Sequence, residues 1–189
     1  IGDFVAQDAV ARVAGWRAQG HPDCQVSINQ SPVQLRHSRK GSDGLAQALA
    51  ARGLAGNAVV IEITEGLLLN AEATVAENLR ALRGAGVEVA IDDFGTGYSS
   101  LSYLQKFDVD FLKIDRSFVD DLKGSGADLC EAIVVMAHRL GVKVVAEGVE
   151  EAWQRDFLAA MGCDYAQGYL YSPPLPPDAF EARWLRGVE

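Results

Sequence analysis

No apolar run in this sequence reaches the ~18–20 residues that a membrane-spanning helix needs. Its first residues also lack the charged, apolar and small-residue tracts of a secretory signal. Cysteine is scarce. Cys24, Cys130 and Cys163 are odd in number, far apart and without a Cys-x-x-Cys pair. That argues against a disulfide framework and for reduced thiols in a cytosolic compartment. Positive charge is short as well: 17 Lys and Arg against 26 Asp and Glu give a net charge of -9. A surface of that sign does not suit sequence-independent binding of nucleic-acid polymers. Anionic small substrates stay open, provided that metal ions stand between their phosphates and the protein's carboxylates. No low-complexity stretch, long linker or internal repeat divides the chain, so residues 1–189 are expected to form one domain. The chain opens on Ile1 rather than methionine. The expectation is a cytoplasmic piece of a longer polypeptide, any membrane anchor lying outside it.

What is present is a chain 49% apolar, ample for a single core. Short β-branched runs alternate with longer helix-period stretches. Strands are expected at Gln25–Asn29, Ala58–Thr64, Val87–Asp92, Phe111–Asp115, Val142–Glu147 and Tyr165–Leu170. Helices are expected at Asp3–Gln19, Gly44–Arg52, Glu72–Gly84, Ser99–Lys106, Ala127–Leu140, Glu151–Met161 and Asp178–Arg186. In the first of these, Phe4, Val5, Val10, Val13 and Trp16 form the apolar stripe. Gly20, Gly53, Gly86, Gly141 and Gly162 sit where helices should stop. Strand–helix alternation of this kind gives a parallel sheet, open or closed into a barrel. Six strands fall short of the eight of a (β/α)8 barrel. Because the chain begins in a helix, missing N-terminal strands are the simpler reading, with an open six-stranded sheet as the alternative.

The strands carry polar groups toward one end: Asn29, Glu62, Asp92, Lys113 and Glu147, with Gln167 inside the sixth. A strand buried on both faces should read as continuously apolar, and the C-terminal end of a parallel sheet is where such folds place their sites. Each residue alone has a plain structural explanation: a turn-forming Asn, a Glu paired with Lys, a Gln bonding a turn. Asp92 and Asp93 resist that, because adjacent carboxylates need a cation or a raised pKa. Asn, Glu and Asp are hard oxygen ligands, suited to Mg²⁺ or Mn²⁺ rather than zinc. Glu62, Asp92 and Glu147, with Asp93 beside them, can hold two such ions roughly 4 Å apart. Lys113 can then steady developing negative charge. The residues therefore point to metal-assisted phosphoester hydrolysis.

Six stretches in order make the pattern specific: "SINQSPVQL" (Ser27–Leu35), "IEITEGLLL" (Ile61–Leu69), "IDDFGTGYSSLSYL" (Ile91–Leu104), "DFLKIDRSFV" (Asp110–Val119), "VVAEGVE" (Val144–Glu150) and "GCDYAQGYLYSPPLP" (Gly162–Pro176). Together they strongly resemble the EAL domain, the cyclic di-GMP phosphodiesterase domain of bacterial signalling proteins. The resemblance implies a modified (β/α)8 TIM-type barrel that opens cyclic di-GMP to linear pGpG with Mg²⁺ or Mn²⁺. It implies Asn29, Glu62 and Asp92 as metal ligands, and Asp93 and Glu147 as ligands or water-activating groups at the second metal. Lys113 resembles the lysine contacting the catalytic water or phosphate, and Gln167 a further site residue. Glu65 matches a residue that tethers the loop after Asp93. Gly95 and Gly97 give that loop its backbone, near the contacts through which family members dimerise. Attached GGDEF or sensory modules are usual in such proteins. The plainer reading of "FGTGYSS", a turn into a helix capped by Ser99, is compatible with this.

The tripeptide Glu-Ala-Leu that names the family occurs nowhere in the chain. Roughly the first two strands, the signature glutamate and a substrate-binding arginine are expected to be absent, so that little turnover is expected of this piece alone. The alternative function is a catalytically inactive cyclic di-GMP receptor or partner-binding module.

Overall fold

The computed structural model describes residues 2–37, 39–69, 73–97 and 102–187. Six strands, β1 (Val26–Asn29), β2 (Val59–Thr64), β3 (Glu88–Phe94), β4 (Phe111–Ile114), β5 (Lys143–Ala146) and β6 (Tyr165–Ala166), form one sheet in chain order. Every neighbouring pair is parallel. A doubly wound sheet reverses its strand order partway, and this one never does. The result is an arc of a (β/α) barrel, with strands curled around a concave face and helices outside.

Long helices α1 (Gly2–Ala18), α3 (Arg39–Ala50), α5 (Ala73–Gly84), α8 (Gly126–Arg139) and α9 (Ala152–Ala160) cover the outer face. Short helices α2 (Pro32–His37), α4 (Glu65–Leu69), α6 (Ser102–Phe107) and α7 (Arg116–Asp120) lie beyond strand ends, and α10 (Pro177–Phe180) runs into a π turn at Glu181–Leu185. Alternation divides the strands as sequence periodicity requires. Ile61, Ile63, Val89, Ile91, Leu112, Ile114 and Val144 point outward and are buried with Leu79, Leu82, Val134 and Leu158. Burial of each large side chain contributes about 1.5–3 kcal/mol. Inward, a separate small cluster of Val60, Ala90 and Phe111, flanked by Val145, floors the concave face.

The five expected helix stops at Gly20, Gly53, Gly86, Gly141 and Gly162 all have positive φ. Four expectations need correction. In α1 only Val10 and Val13 are buried, while Phe4 is 73% and Val5 44% exposed. The sixth strand ends at Ala166 rather than Leu170, because the chain turns at once, the Tyr171 N–H donating to the Gly168 carbonyl. Helices α2, α4 and α7 were not expected, since five or six residues are too few to show a helical period. Helix α3 also starts five residues before the expected Gly44. The expected cap at Ser99 and the helix start at Glu72 lie outside the described residues. No helix among the described residues is long and apolar enough to cross a membrane.

Candidate metal centre and active site

The register of the sheet assembles the site. Asn29 of β1 lies opposite Glu62 of β2, and Thr64 of β2 lies opposite Asp92 of β3. Lys113 of β4 lies opposite Val145 of β5, and Glu147 follows β5 directly, its N–H donating to the Ile114 carbonyl at 3.2 Å. Parallel pairing in chain order puts these residues at the same C-terminal end of the sheet.

Lys113 occupies the centre. Its Nζ lies 2.9 Å from Glu62 Oε2, 2.8 Å from Asp92 Oδ1 and 2.7 Å from Glu147 Oε1. An ammonium has three protons, and each faces a carboxylate. The Lys113 side chain is only 6% exposed and that of Glu62 8%. Burial alone would lower the pKa of Lys113, but its bonds to Asp92, Glu147 and Glu62 outweigh it and hold the group above the ordinary lysine value.

Asp93 reaches the site by a different route. Simple alternation would turn it away from Asp92. Instead the β3–β4 register shifts between Ile91 and Phe94, and Asp93 takes φ +52°. Such a bulge re-aims a side chain, and aspartate tolerates the left-handed region better than most residues. Oxygens of Asp92, Asp93 and Glu147 consequently lie within 4.8 Å of one another. Desolvation, then Asp92 and Asp115, push the Asp93 carboxyl above the usual range, against the pull of Lys113. Glu147 is also raised: its burial outweighs the stabilising contact with Lys113, and the charges of Asp92 and Glu62 add to the effect. Carboxylates so crowded are short of positive charge. An all-oxygen donor set of this kind fits a hard divalent cation.

The loop after Asp93 is tied back to α4. The Gly95 N–H donates to Glu65 Oε2 at 3.4 Å, and Glu65 is only 4% exposed. At φ +96°, Gly95 has a backbone that side chains rarely adopt, and a Cβ there would press on the Phe118 ring at 3.0 Å. At Gly97 a Cβ would come within 3.3 Å of Glu65. Gln167 is exposed just past β6, its N–H donating to the Ala146 carbonyl at 2.8 Å. With Glu62 and Lys113 it lines a cleft of about 140 Å³ on the concave face. Asn29 is exposed at the end of β1.

Sequence reasoning missed three residues around this centre. Asp115 is expected as the last residue of the fourth strand, which ends instead at Ile114. The aspartate is the N-cap of α7, accepting from the Ser117 N–H at 3.0 Å, and its charge also acts on Asp93. An Asp followed at once by Arg-Ser was the available signal for a cap. Arg116 and Gln154, which grip the segment after Glu147, gave none.

Three comparisons bear on this geometry. The family model described as "EAL domain" matches residues 1–174. The cyclic di-GMP phosphodiesterase NbdA of Pseudomonas aeruginosa is 41% identical over 184 residues, covering 96% of this chain and 23% of that protein. The bifunctional diguanylate cyclase/cyclic di-GMP phosphodiesterase MucR of the same organism is 37% identical over 94% of this chain and 26% of its own length. A solved MucR phosphodiesterase, in complex with c-di-GMP, superposes with a TM-score of 0.89 at 36% identity, over 95% of this chain and 73% of that one. Klebsiella pneumoniae BlrP1, in a manganese and cyclic-di-GMP complex, gives a TM-score of 0.78 at 35% identity, over 91% and 45%. The chain spans about a quarter of the length of the curated relatives it matches.

Proposed function

This chain belongs to the EAL domain family, and we propose that it serves the hydrolysis of cyclic di-GMP to linear pGpG in bacterial second-messenger signalling. The observation that carries the reading is the convergence of Asp92, Asp93 and Glu147 oxygens beside a lysine bound to three carboxylates. The cyclic di-GMP complexes of MucR and BlrP1 support the ligand, and the manganese in BlrP1 supports a divalent metal.

Two ions, Mg²⁺ or Mn²⁺, are assigned to Asn29, Glu62, Asp92, Asp93 and Glu147. Bound there, such ions supply Lewis acidity toward a phosphodiester oxygen and lower the pKa of a bound water. The chain's own groups do the rest. Glu147, whose carboxyl is held above the usual range by burial, against the pull of Lys113, takes the proton from the attacking water. Asp93 shares that task of orienting and deprotonating the water. Water oxygen bonds to phosphorus, one P–O ester bond of the ring breaks, and the leaving sugar oxygen takes up a proton from solvent while the water's own proton rests on Glu147. Lys113 stabilises the charge gathering on the phosphoryl oxygens. Gln167 contacts the substrate from the rim, and Glu65 holds the Gly95–Gly97 loop that follows Asp93. The same loop is proposed as the contact between two copies of the domain. An attached GGDEF or sensory module is proposed by analogy with bifunctional MucR.

The test is conversion of cyclic di-GMP to pGpG with Mn²⁺ or Mg²⁺, by the chain alone and, should its gene encode more residues, by the full gene product. Metal-dependent pGpG formation lost in Glu147→Gln supports the reading. Tight binding of the dinucleotide without cleavage in the full gene product makes the domain a receptor and overturns the catalytic assignment.

A further inference from the structure

Glu147 has no regular element beneath it. β5 ends at Ala146, and residues 147–150 are irregular until α9 begins at Ala152. A carboxylate on such a segment needs a frame, and the structure supplies one from two sides.

On one side stands Gln154, in the first turn of α9 and only 5% exposed. Its Oε1 accepts from the N–H groups of both Glu150 and Glu151 at 2.9 Å. Its Nε2 donates to the Val119 carbonyl of α7 at 3.3 Å. One buried amide thus joins the segment after Glu147 to the helix that follows the Lys113 strand. Arg116, at the start of α7, reinforces the link. Its Nη2 pairs with Glu150 Oε1 at 2.9 Å, and its stem lies across Gly148, where a Cβ would come within 2.4 Å of Arg116 Cγ.

On the other side, Val149 is fully buried and forms a short ladder with the turn after β6. Its N–H donates to the Gln167 carbonyl at 3.0 Å, and its carbonyl accepts from the Leu170 N–H at 3.0 Å. Gly168 makes this approach available, since a Cβ there would lie 2.1 Å from the Val149 oxygen.

We propose that Gln154 is a positioning residue for Glu147, acting through the 147–151 backbone, with Arg116 as its exposed partner; this rests on the metal-centre reading above. The capping box of α9 needs only the bond to the Glu151 N–H. The bond to Val119 has no capping role and ties the segment to the Lys113 side of the site. Groups that orient metal ligands commonly change metal affinity about 10–100-fold when removed.

The experiment titrates Mn²⁺ calorimetrically into folded wild-type protein, Gln154→Met, Gln154→Glu and Arg116→Ala, alongside amide hydrogen exchange at Val149. Gln154→Met should weaken Mn²⁺ binding about 10-fold and speed exchange at Val149. Gln154→Glu keeps the acceptor for both amides and should recover part of the affinity. Arg116→Ala, a surface change that folding tolerates, should weaken Mn²⁺ in the same direction. It keeps the proposal testable should Gln154→Met not fold. A folded Gln154→Met, or an Arg116→Ala, that binds Mn²⁺ as wild type does reduces Gln154 to a helix cap and overturns the proposal. Wild-type protein that binds Mn²⁺ yet never cleaves cyclic di-GMP overturns the catalytic reading and leaves this one standing. Wild-type protein that takes up no Mn²⁺ overturns both.

Discussion

Replacing Lys113 with methionine keeps most of the aliphatic stem and removes the charge that three carboxylates share. Glu62, Asp92 and Glu147 then face one another, with Glu62 almost entirely buried. Removing one partner from a buried ion cluster costs about 3–5 kcal/mol, because the remaining charges stay desolvated and unpaired. The loss expected for metal-free Lys113→Met near neutral pH is therefore about 4 kcal/mol. Urea unfolding in EDTA measures it directly. Lowering the pH should shrink the deficit, since protonated carboxyls no longer need a counter-charge. Mn²⁺ at about 100 times its dissociation constant should return roughly 2.7 kcal/mol, the metal standing in for the ammonium. A variant within about 1 kcal/mol of wild type in EDTA, the worth of an exposed pair, would refute a structural role for the ion cluster.

Asp93→Asn keeps a residue that tolerates φ +52° while removing a charge crowded by Asp92 and Asp115. The metal-free protein should melt no lower than wild type, and the rise in Tm on adding Mn²⁺ should shrink; an undiminished rise removes Asp93 from the ligand set. Gly95→Ala forces a side chain into φ +96° against Phe118 and should cost about 1–2 kcal/mol in urea unfolding, with no loss counting against the tethered loop. Asp164 accepts from the Val144 N–H at 2.8 Å and pairs with His138 at 2.9 Å. Burial raises its pKa, but these partners outweigh it and hold the carboxyl below the usual range. Its contribution is therefore complete above the ordinary aspartate pKa and disappears as pH falls through the lowered one. The stability gap between wild type and Asp164→Asn should close over that acid window and stay constant above it; a gap that widens on acidification reverses the assignment.

Local chemistry alone determined much of this protein. β-branched runs, helix periods and stop glycines placed the six strands and the long helices, because burial on a pleat or a helix face imposes its own period. Polar residues at strand ends marked the candidate site, because a strand buried on both faces otherwise reads as continuously apolar. Family motifs then supplied the chemistry. Five features waited for the tertiary structure. The strand order, which distinguishes an arc of barrel from a doubly wound sheet, depends on contacts between distant segments. The short helices at strand ends carry too few residues to show a period. Asp93 joins Asp92 only through a bulge and a left-handed backbone, which reverse what alternation predicts. Lys113 could be read as a counter-charge, but its hold on three carboxylates at once depends on the register of four strands. Gln154 reads in the sequence as one more polar residue on a helix. Only packing shows it buried, its amide joining the backbone after Glu147 to the Val119 carbonyl of α7.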